Sequence, residues 1–397
     1  MLYHARYLAR AGHRVRMLAG AGQPLDDTFE LALIPQAGSR HDEVLAVQAE
    51  LARGQVGPAF VALRDCLGAA LNQELAAADA LIVHNVCTLH KNLALTAALH
   101  ACVVAKQGPA GASFPVLAWH HDLAWTNPQY QRQLHPGYPW DLLRTPWPGV
   151  RHVTVSHARQ AELAALYGRQ AAEISIVPGG VDPELFFKWH PFTGELVDRY
   201  GLLSAATLFL LPARLTPRKN VELALRILAA FREQTGRDAR LIVTGPPGPH
   251  NPANTAYLAS LMALRQELGL AASAHFLFEI NPAVPDAVLA DLYLLADALL
   301  FPSTQEGFGI PMLEAGLARL PVFCSDIPPL RETGDGAAHF FDPGGDPAEI
   351  AAGMARVLDG DPAFRLRHRV LPAFTWSQIV ERQVLPLLCH DELEETK

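Results

Sequence analysis

Short apolar runs alternate with amphipathic stretches along almost the whole chain, and that alternation leaves few folds open. Such runs suit strands buried on both faces. The stretches between them are long enough for the crossover helices that join parallel strands. The pattern predicts an α/β fold with doubly wound parallel sheets. One series of candidate strands covers 14–18, 80–84, 116–119, 151–155 and 174–177. A second covers 208–212, 240–244, 275–278, 298–301 and 321–324. Helices are expected at 220–235 and 254–268, and Ala/Leu-rich stretches such as 289–300 read as packing helices. The turn-rich Pro178-Gly-Gly-Val-Asp182-Pro183 separates the two series and puts a domain boundary near Phe187.

The 397 residues are enough for two domains of ordinary size. Half are hydrophobic and 18% are charged, which excludes a disordered chain. A net charge of −8 argues against nucleic acid as the main partner. The five cysteines, at 66, 87, 102, 324 and 389, form no C-x-x-C pair and no metal-ligand spacing. They read as reduced, buried thiols of a cytosolic protein. No signal peptide and no run of 18 apolar residues is present. The expected location is cytoplasmic, with peripheral contact at the inner membrane face left open.

The start of the chain departs from the pattern. Residues 3–11 read as the tail of a helix, Gly12 as a turn, and a strand follows. A doubly wound domain opens instead with a strand and a Gly-rich loop before its first helix. That first strand is usually central, so its loss would leave its neighbours with unpaired backbone. A misplaced start or a truncation is the expectation. A natural domain lacking the strand is the alternative.

The stretch 297–314 carries the clearest chemistry. The apolar run Asp297-Ala-Leu-Leu-Phe-Pro302 feeds into Ser303-Thr-Gln-Glu306-Gly-Phe-Gly-Ile-Pro311-Met-Leu-Glu314. A strand ends in a Gly-containing loop, and a helix opens with Pro near its first position. Backbone amides at a helix N-terminus suit phosphate. Ionised carboxylates suit polyols, because each accepts hydrogen bonds from two hydroxyls. The combination reads as a site for a sugar attached to a nucleotide diphosphate. Glu306 as a loop cap and Glu314 as a solvated helix residue are the plainer readings.

Glu306 and Glu314, with Pro-Ser before them, Gly-Phe-Gly-Ile-Pro between them and Glu-Ala-Gly following, resemble the retaining GT-B glycosyltransferases of family 4, the glycosyl transferases group 1. The run Leu-Pro-Val-Phe-Cys-Ser-Asp-Ile-Pro-Pro-Leu-Arg-Glu at 320–332 strengthens the match, and the resemblance covers nearly the whole chain. It implies two Rossmann-like domains facing across a cleft: 1–187 on the acceptor side, 188–375 binding the nucleotide sugar, and 376–397 packing back on the first. It also implies that Glu306 contacts the transferred sugar. Gly307, Phe308 and Gly309 would hold sugar and phosphate through their amides, and Glu314 would bind the ribose. In Pro212-Ala-Arg214-Leu-Thr-Pro-Arg218-Lys219-Asn220, two fixed cations can neutralise a diphosphate leaving group. The resemblance gives Arg214 and Lys219 that role in place of a divalent metal, and Arg218 reads as surface.

A third feature is Leu117-Ala-Trp119-His120-His121-Asp122. The resemblance puts His121 on the donor sugar or the reaction centre, with His120 and Asp122 as further cleft candidates. A core histidine is the alternative, and a metal site lacks a third ligand at suitable spacing. Trp119 and Trp125 fit either sugar stacking or the core. His84 and Asn85 end another strand and are candidates to face an acceptor. Thr244-Gly245-Pro-Pro-Gly248-Pro-His250-Asn251 matches a nucleotide-facing Gly loop, though in Pro-rich form. The strand end at 276–279 would lie near the base, 326–329 reads as a structural loop, and the amphipathic segment 376–388 as an interdomain tie.

The implied activity is transfer of a hexosyl group from a nucleotide-diphosphate sugar to a small-molecule, glycan or lipid acceptor. The resemblance implies retention of configuration without a metal, and no cofactor is expected; charge and hydropathy point to no nucleic acid and no transmembrane segment. A GT-B nucleotide-sugar epimerase and a truncated non-catalytic binder are the alternatives. A phosphorylase would need a cofactor lysine site that the sequence does not offer.

Overall fold

The computed structural model describes residues 1–24, 27–107, 114–247 and 253–389. The chain divides into two compact units, Met1–Val181 with Phe374–Lys397, and Asp182–Ala373.

In the first unit a helix over Leu2–Arg10 ends at Gly12, whose φ of +93° favours glycine, and strand β1 follows at Arg16–Ala19. β1 pairs in parallel with β2 (Glu30–Leu33) and, among the described residues, with no other strand. β3 (Leu81–His84), β4 (Val116–His120), β5 (Val150–Thr154) and β6 (Ser175–Ile176) form a separate parallel sheet in that order. Among the described residues no strand joins the two sheets. β1 and β3 therefore each present one unpaired edge where a central opening strand was expected. The carboxyl ends of β3 and β4 lie side by side, with His84 opposite Trp119.

The C-terminal run belongs to this unit. It is helical over Trp376–Ile379, widens to one π turn over Val380–Val384 and closes at Leu385–Leu388. Its apolar face buries Trp376, Ile379, Val380 and Val384 against Leu8, Trp119, Val153 and Val177. Gly180 is fixed by that packing, since a Cβ there would lie 2.8 Å from the Ile379 side chain.

The second unit has one parallel sheet. Its strands are β7 (Thr207–Leu211), β8 (Ala239–Val243), β9 (Ala274–Phe276), β10 (Ala298–Phe301), β11 (Val322–Ser325) and β12 (His339–Phe341). They lie in the order β12-β11-β10-β7-β8-β9. Every residue of β7 and β10 is buried, as the continuous apolar runs require of central strands. The strand order reverses between β7 and β10, and ligands of doubly wound sheets bind outside the carboxyl ends at that point. The loops leaving it are 212–219 and 302–309, which carry Arg214, Lys219 and Glu306.

Three expectations are corrected. The helix starting at Asp286 stops at Leu295, and 298–301 is a strand, so 289–300 is not one packing helix. Composition cannot separate a buried helix from a buried strand here. Asp297 marks the change, accepting the Leu208 backbone N–H at 2.8 Å and so tying β10 to β7. All five cysteines are free, but Cys66 and Cys389 are exposed. β2 and β12 escaped the strand series because each is short and has no fully buried residue.

Candidate functional site

The loop after β7 turns sharply. Asn220 adopts a left-handed conformation at φ +50°, and its side chain donates to the Pro343 carbonyl at 3.1 Å. This drives Lys219 inward, where its ammonium lies 5.2 Å from the centre of the Phe301 ring. Lys219 Nζ pairs with Glu306 Oε1, and both side chains are about nine-tenths buried. Arg218 is half-exposed, yet its guanidinium donates to the Gln305 carbonyl at 3.2 Å and meets Glu306 Oε2 at 3.5 Å. The reading of Arg218 as surface is therefore incomplete, because it clamps the loop that carries Glu306. Arg214 is exposed and makes no side-chain hydrogen bond or ion pair among the described residues. Arg218 and Lys219 thus meet one carboxylate, and Arg214 lies on the same loop, an excess of positive charge that favours an anion.

Glu306 leads into Gly307, which is open, exposed Phe308, and Gly309 at φ +98°. A Cβ on Gly309 would also lie 2.6 Å from the Leu330 side chain. Thr333 anchors the loop by donating to the Phe308 carbonyl. The helix Ile310–Leu317 then opens with Pro311 at its second position. Glu314 is half-buried on it, and Tyr293 donates its phenol proton to Glu314 Oε2 at 2.6 Å. Burial, then the bond to Glu314, push the Tyr293 phenol well above its ordinary pKa.

Gly245 ends β8. A Cβ there would sit 2.3 Å from the Ala213 carbonyl oxygen, so packing against the Arg214 loop requires glycine whatever else it touches. Gly248, His250 and Asn251 lie outside the described residues. The strand expected through 278 ends at Phe276, and Glu279 pairs with Arg265 at 2.8 Å.

In the first unit, the ends of β3 and β4 carry two histidine chains. His84 Nε2 is 3.2 Å from His4 Nδ1, and His84 Nδ1 is 3.4 Å from His121 Nε2. His121 is exposed, whereas His4 is buried. Burial lowers all three pKa values, His4 to about 3 and His84 to about 2. The second chain is internal. His120 bonds Thr88 Oγ1 at 3.1 Å through Nδ1 and His152 at 2.9 Å through Nε2. His120 is fully buried, with its pKa held far below the usual value by burial and then by His152. It is a core histidine and is corrected as a ligand-facing candidate. Asn85, at φ +61°, accepts the His121 backbone N–H at 2.7 Å and the Asp122 N–H at 3.4 Å. Its side-chain oxygen is thus committed to shaping the β4 loop. Asp122 is exposed, and its carbonyl accepts from Thr88 at 2.9 Å. Trp119 is buried in the core, and Trp125 is tied to the Trp140 carbonyl at 3.2 Å. Among the described residues no three His, Cys, Asp or Glu side chains cluster as metal ligands would. No helix among them is long and apolar enough to cross a membrane.

Residues 197–370 match the family Glycosyl transferases group 1. That domain falls inside the second unit and includes Arg214, Lys219, Glu306 and Glu314. The chain is 34% identical over 228 residues to D-inositol 3-phosphate glycosyltransferase of Kineococcus radiotolerans, covering 54% of this chain and 50% of that one. It is 34% identical over 173 residues to the serotype-specific mannosyltransferase WbdA of Escherichia coli, covering 42% of this chain and 20% of that one. The chain spans about half the length of the first of these relatives. A crystal structure of WaaG, a glycosyltransferase involved in lipopolysaccharide biosynthesis, aligns over 97% of this chain and 91% of that one at 17% identity. Its TM-score is 0.35, too low to say anything of chemistry.

Two residues of consequence were missed in the sequence. Tyr293, in the group 1 domain, is the sole hydroxyl-bearing side chain of the apolar helix Asp286–Leu295, and a buried phenol needs a partner. His4 gave no signal, because only the fold brings it to His84 from 80 positions away.

Proposed function

We propose that this chain is a GT-B glycosyltransferase of family 4 that moves a hexosyl group from a nucleotide-diphosphate sugar to an acceptor hydroxyl, with retention of configuration and without a metal. The buried Lys219–Glu306 pair at the reversal point of a parallel sheet, with Arg214 on the same loop as Lys219, carries this reading. In it Arg214 and Lys219 hold the diphosphate, Glu306 orients the sugar, the amides of 307–309 contact sugar and phosphate, and Glu314 takes the ribose hydroxyls. Diphosphate binding would draw Lys219 toward phosphate and free Glu306 for sugar hydroxyls, so the ion pair is a ligand-ready resting state. The bond from the anomeric carbon to phosphate breaks and the acceptor oxygen attacks the same face. The departing phosphate takes the acceptor proton. The family resemblance assigns His121 a polar contact to the reacting sugar.

The experiment is a panel of nucleotide sugars, each with and without candidate acceptors, in the presence of chelator. Turnover should persist with chelator, and Lys219→Ala should lower it by about 100-fold or more. Activity that survives the substitution and is lost to chelator would overturn the metal-free scheme. A new nucleotide sugar formed from donor alone would make the protein an epimerase, and donor binding with no turnover under any condition would make it a binder.

A further inference from the structure

The His4–His84–His121 chain has a direction. His4 Nε2 is buried and has no hydrogen-bond partner, while its Nδ1 faces His84. A neutral imidazole carries one proton, on one nitrogen or the other. An orphaned buried N–H is a rarer and costlier state than an orphaned lone pair. His4 therefore keeps its proton on Nδ1 and donates to His84 Nε2. His84, accepting there, must carry its own proton on Nδ1, which points at His121 Nε2. His121 then accepts through Nε2 and is left with its proton on Nδ1. The His84 and His121 rings lie 5.7 Å apart centre to centre and 18° from coplanar. That separation exceeds their 3.4 Å nitrogen–nitrogen distance by about a ring diameter, so the rings meet edge to edge as a hydrogen bond requires. Burial keeps His4 and His84 neutral, so the chain holds no spare proton that would reverse it. The His121 loop is fixed separately by Asn85, which holds the His121 backbone N–H.

We propose that His4 and His84 are positioning residues that lock His121 in its Nδ1–H tautomer, so that His121 offers a hydrogen-bond donor, and not a base, to an oxygen of the transferred sugar. The second half rests on the sugar-transfer reading above. The first half rests only on contacts within the first unit. A free imidazole favours the Nε2–H tautomer, so the locked state has a spectroscopic signature. In this arrangement His121 has no free lone pair with which to take the acceptor proton, and the proton leaves with the phosphate.

The test is nitrogen-15 NMR of the full chain labelled at histidine, at neutral pH. His121 should show a protonated Nδ1 in the wild type. In His84→Phe it should revert to the Nε2–H form. His84→Asn keeps an amide donor near the place of Nδ1 and should retain the Nδ1–H form. His4→Leu reads the same chain if His84→Phe does not fold: His84 is then free to hold its proton on Nε2, and His121 should again revert. An Nε2–H His121 in the wild type, or one unmoved by both substitutions, overturns the lock. With a donor and acceptor in hand, His84→Phe should lower kcat about tenfold with KM little changed, and His84→Asn should restore most of it. If the tautomer switches and kcat does not, the lock stands and the place of His121 in the reaction falls.

Discussion

Glu314 owes its orientation to a phenol that carries no charge of its own. Tyr293 occupies Glu314 Oε2 at 2.6 Å and also reaches the Pro311 carbonyl at 3.4 Å, pinning the carboxylate to the first turn of its own helix. Because its pKa is raised, the phenol stays a donor throughout the neutral range. In the proposed donor site the other carboxylate oxygen takes the ribose hydroxyls. A charge-assisted hydrogen bond is worth about 1.5–3 kcal/mol, so Glu314→Ala should weaken binding of a nucleoside diphosphate by about 10- to 100-fold. Tyr293→Phe keeps the charge and loses only its fixed direction, so its effect should be smaller, about three- to tenfold. Titration calorimetry measures both. Unchanged affinity in Glu314→Ala would remove it from the site, and a Tyr293→Phe loss equal to that of Glu314→Ala would give Tyr293 more than a positioning role. At this scale the meeting of Lys219 with Glu306 was legible, because the two motifs follow strands that lie side by side. Tyr293 and Arg218 were not, because what they touch is decided by the return of a distant strand.

Elements pose a different problem, since each must bury a face and the sequence does not say against what. Apart from β2 and β12, the strands of the three sheets were legible within a residue or two, as apolar runs. Those two were not, because neither has a fully buried residue to demand an apolar run. The run 376–388 is amphipathic in sequence, and its partner is the first unit: Trp376 stacks on Tyr3 at 5.5 Å and crosses His4 edge-on at 4.8 Å. The Arg151 guanidinium also donates to the Leu387 carbonyl at 2.7 Å. One helical run thus covers the same face of the sheet as the helix Leu2–Arg10 and sits against the residue that starts the histidine chain. Trp376→Ala should cost about 3–5 kcal/mol, the usual price of emptying a buried aromatic site. Denaturant unfolding measures this, and the substitution should also release the His121 tautomer by loosening His4. A loss under about 1 kcal/mol would mean that the run is only laid on the surface.

Acid tolerance belongs to the molecule as a whole, because the two units carry unequal loads of buried histidine. In the first unit burial lowers His4 to about 3, His84 to about 2 and His152 to about 4, with His120 also far below its usual value. The second unit has His275, lowered to about 4 by burial and then by Arg240 and Arg265. Each of these groups has a folded pKa below its unfolded one. The unfolded chain therefore binds protons first as pH falls through about 6.5, and the folded state loses stability from there down to about 2, the folded value of His84. Each fully titrating histidine contributes a slope of about 1.4 kcal/mol per pH unit, and several acting together exceed a typical stability of about 5–15 kcal/mol within two or three units. The first unit should accordingly unfold at a higher pH than the second. Five of the six tryptophans, all but Trp189, lie in the first unit, so intrinsic fluorescence follows that unit almost alone. Fluorescence should report unfolding near pH 5 while circular dichroism still records the helices of the second unit. Coincident transitions would mean that the units unfold as one, and a fluorescence signal flat from pH 7 to 4.5 would mean that the buried histidines reach protons without opening the core. The histidine chains thus tie two properties together: the burial that fixes the tautomer of His121 is the same burial that makes its unit the more acid-sensitive half of the chain.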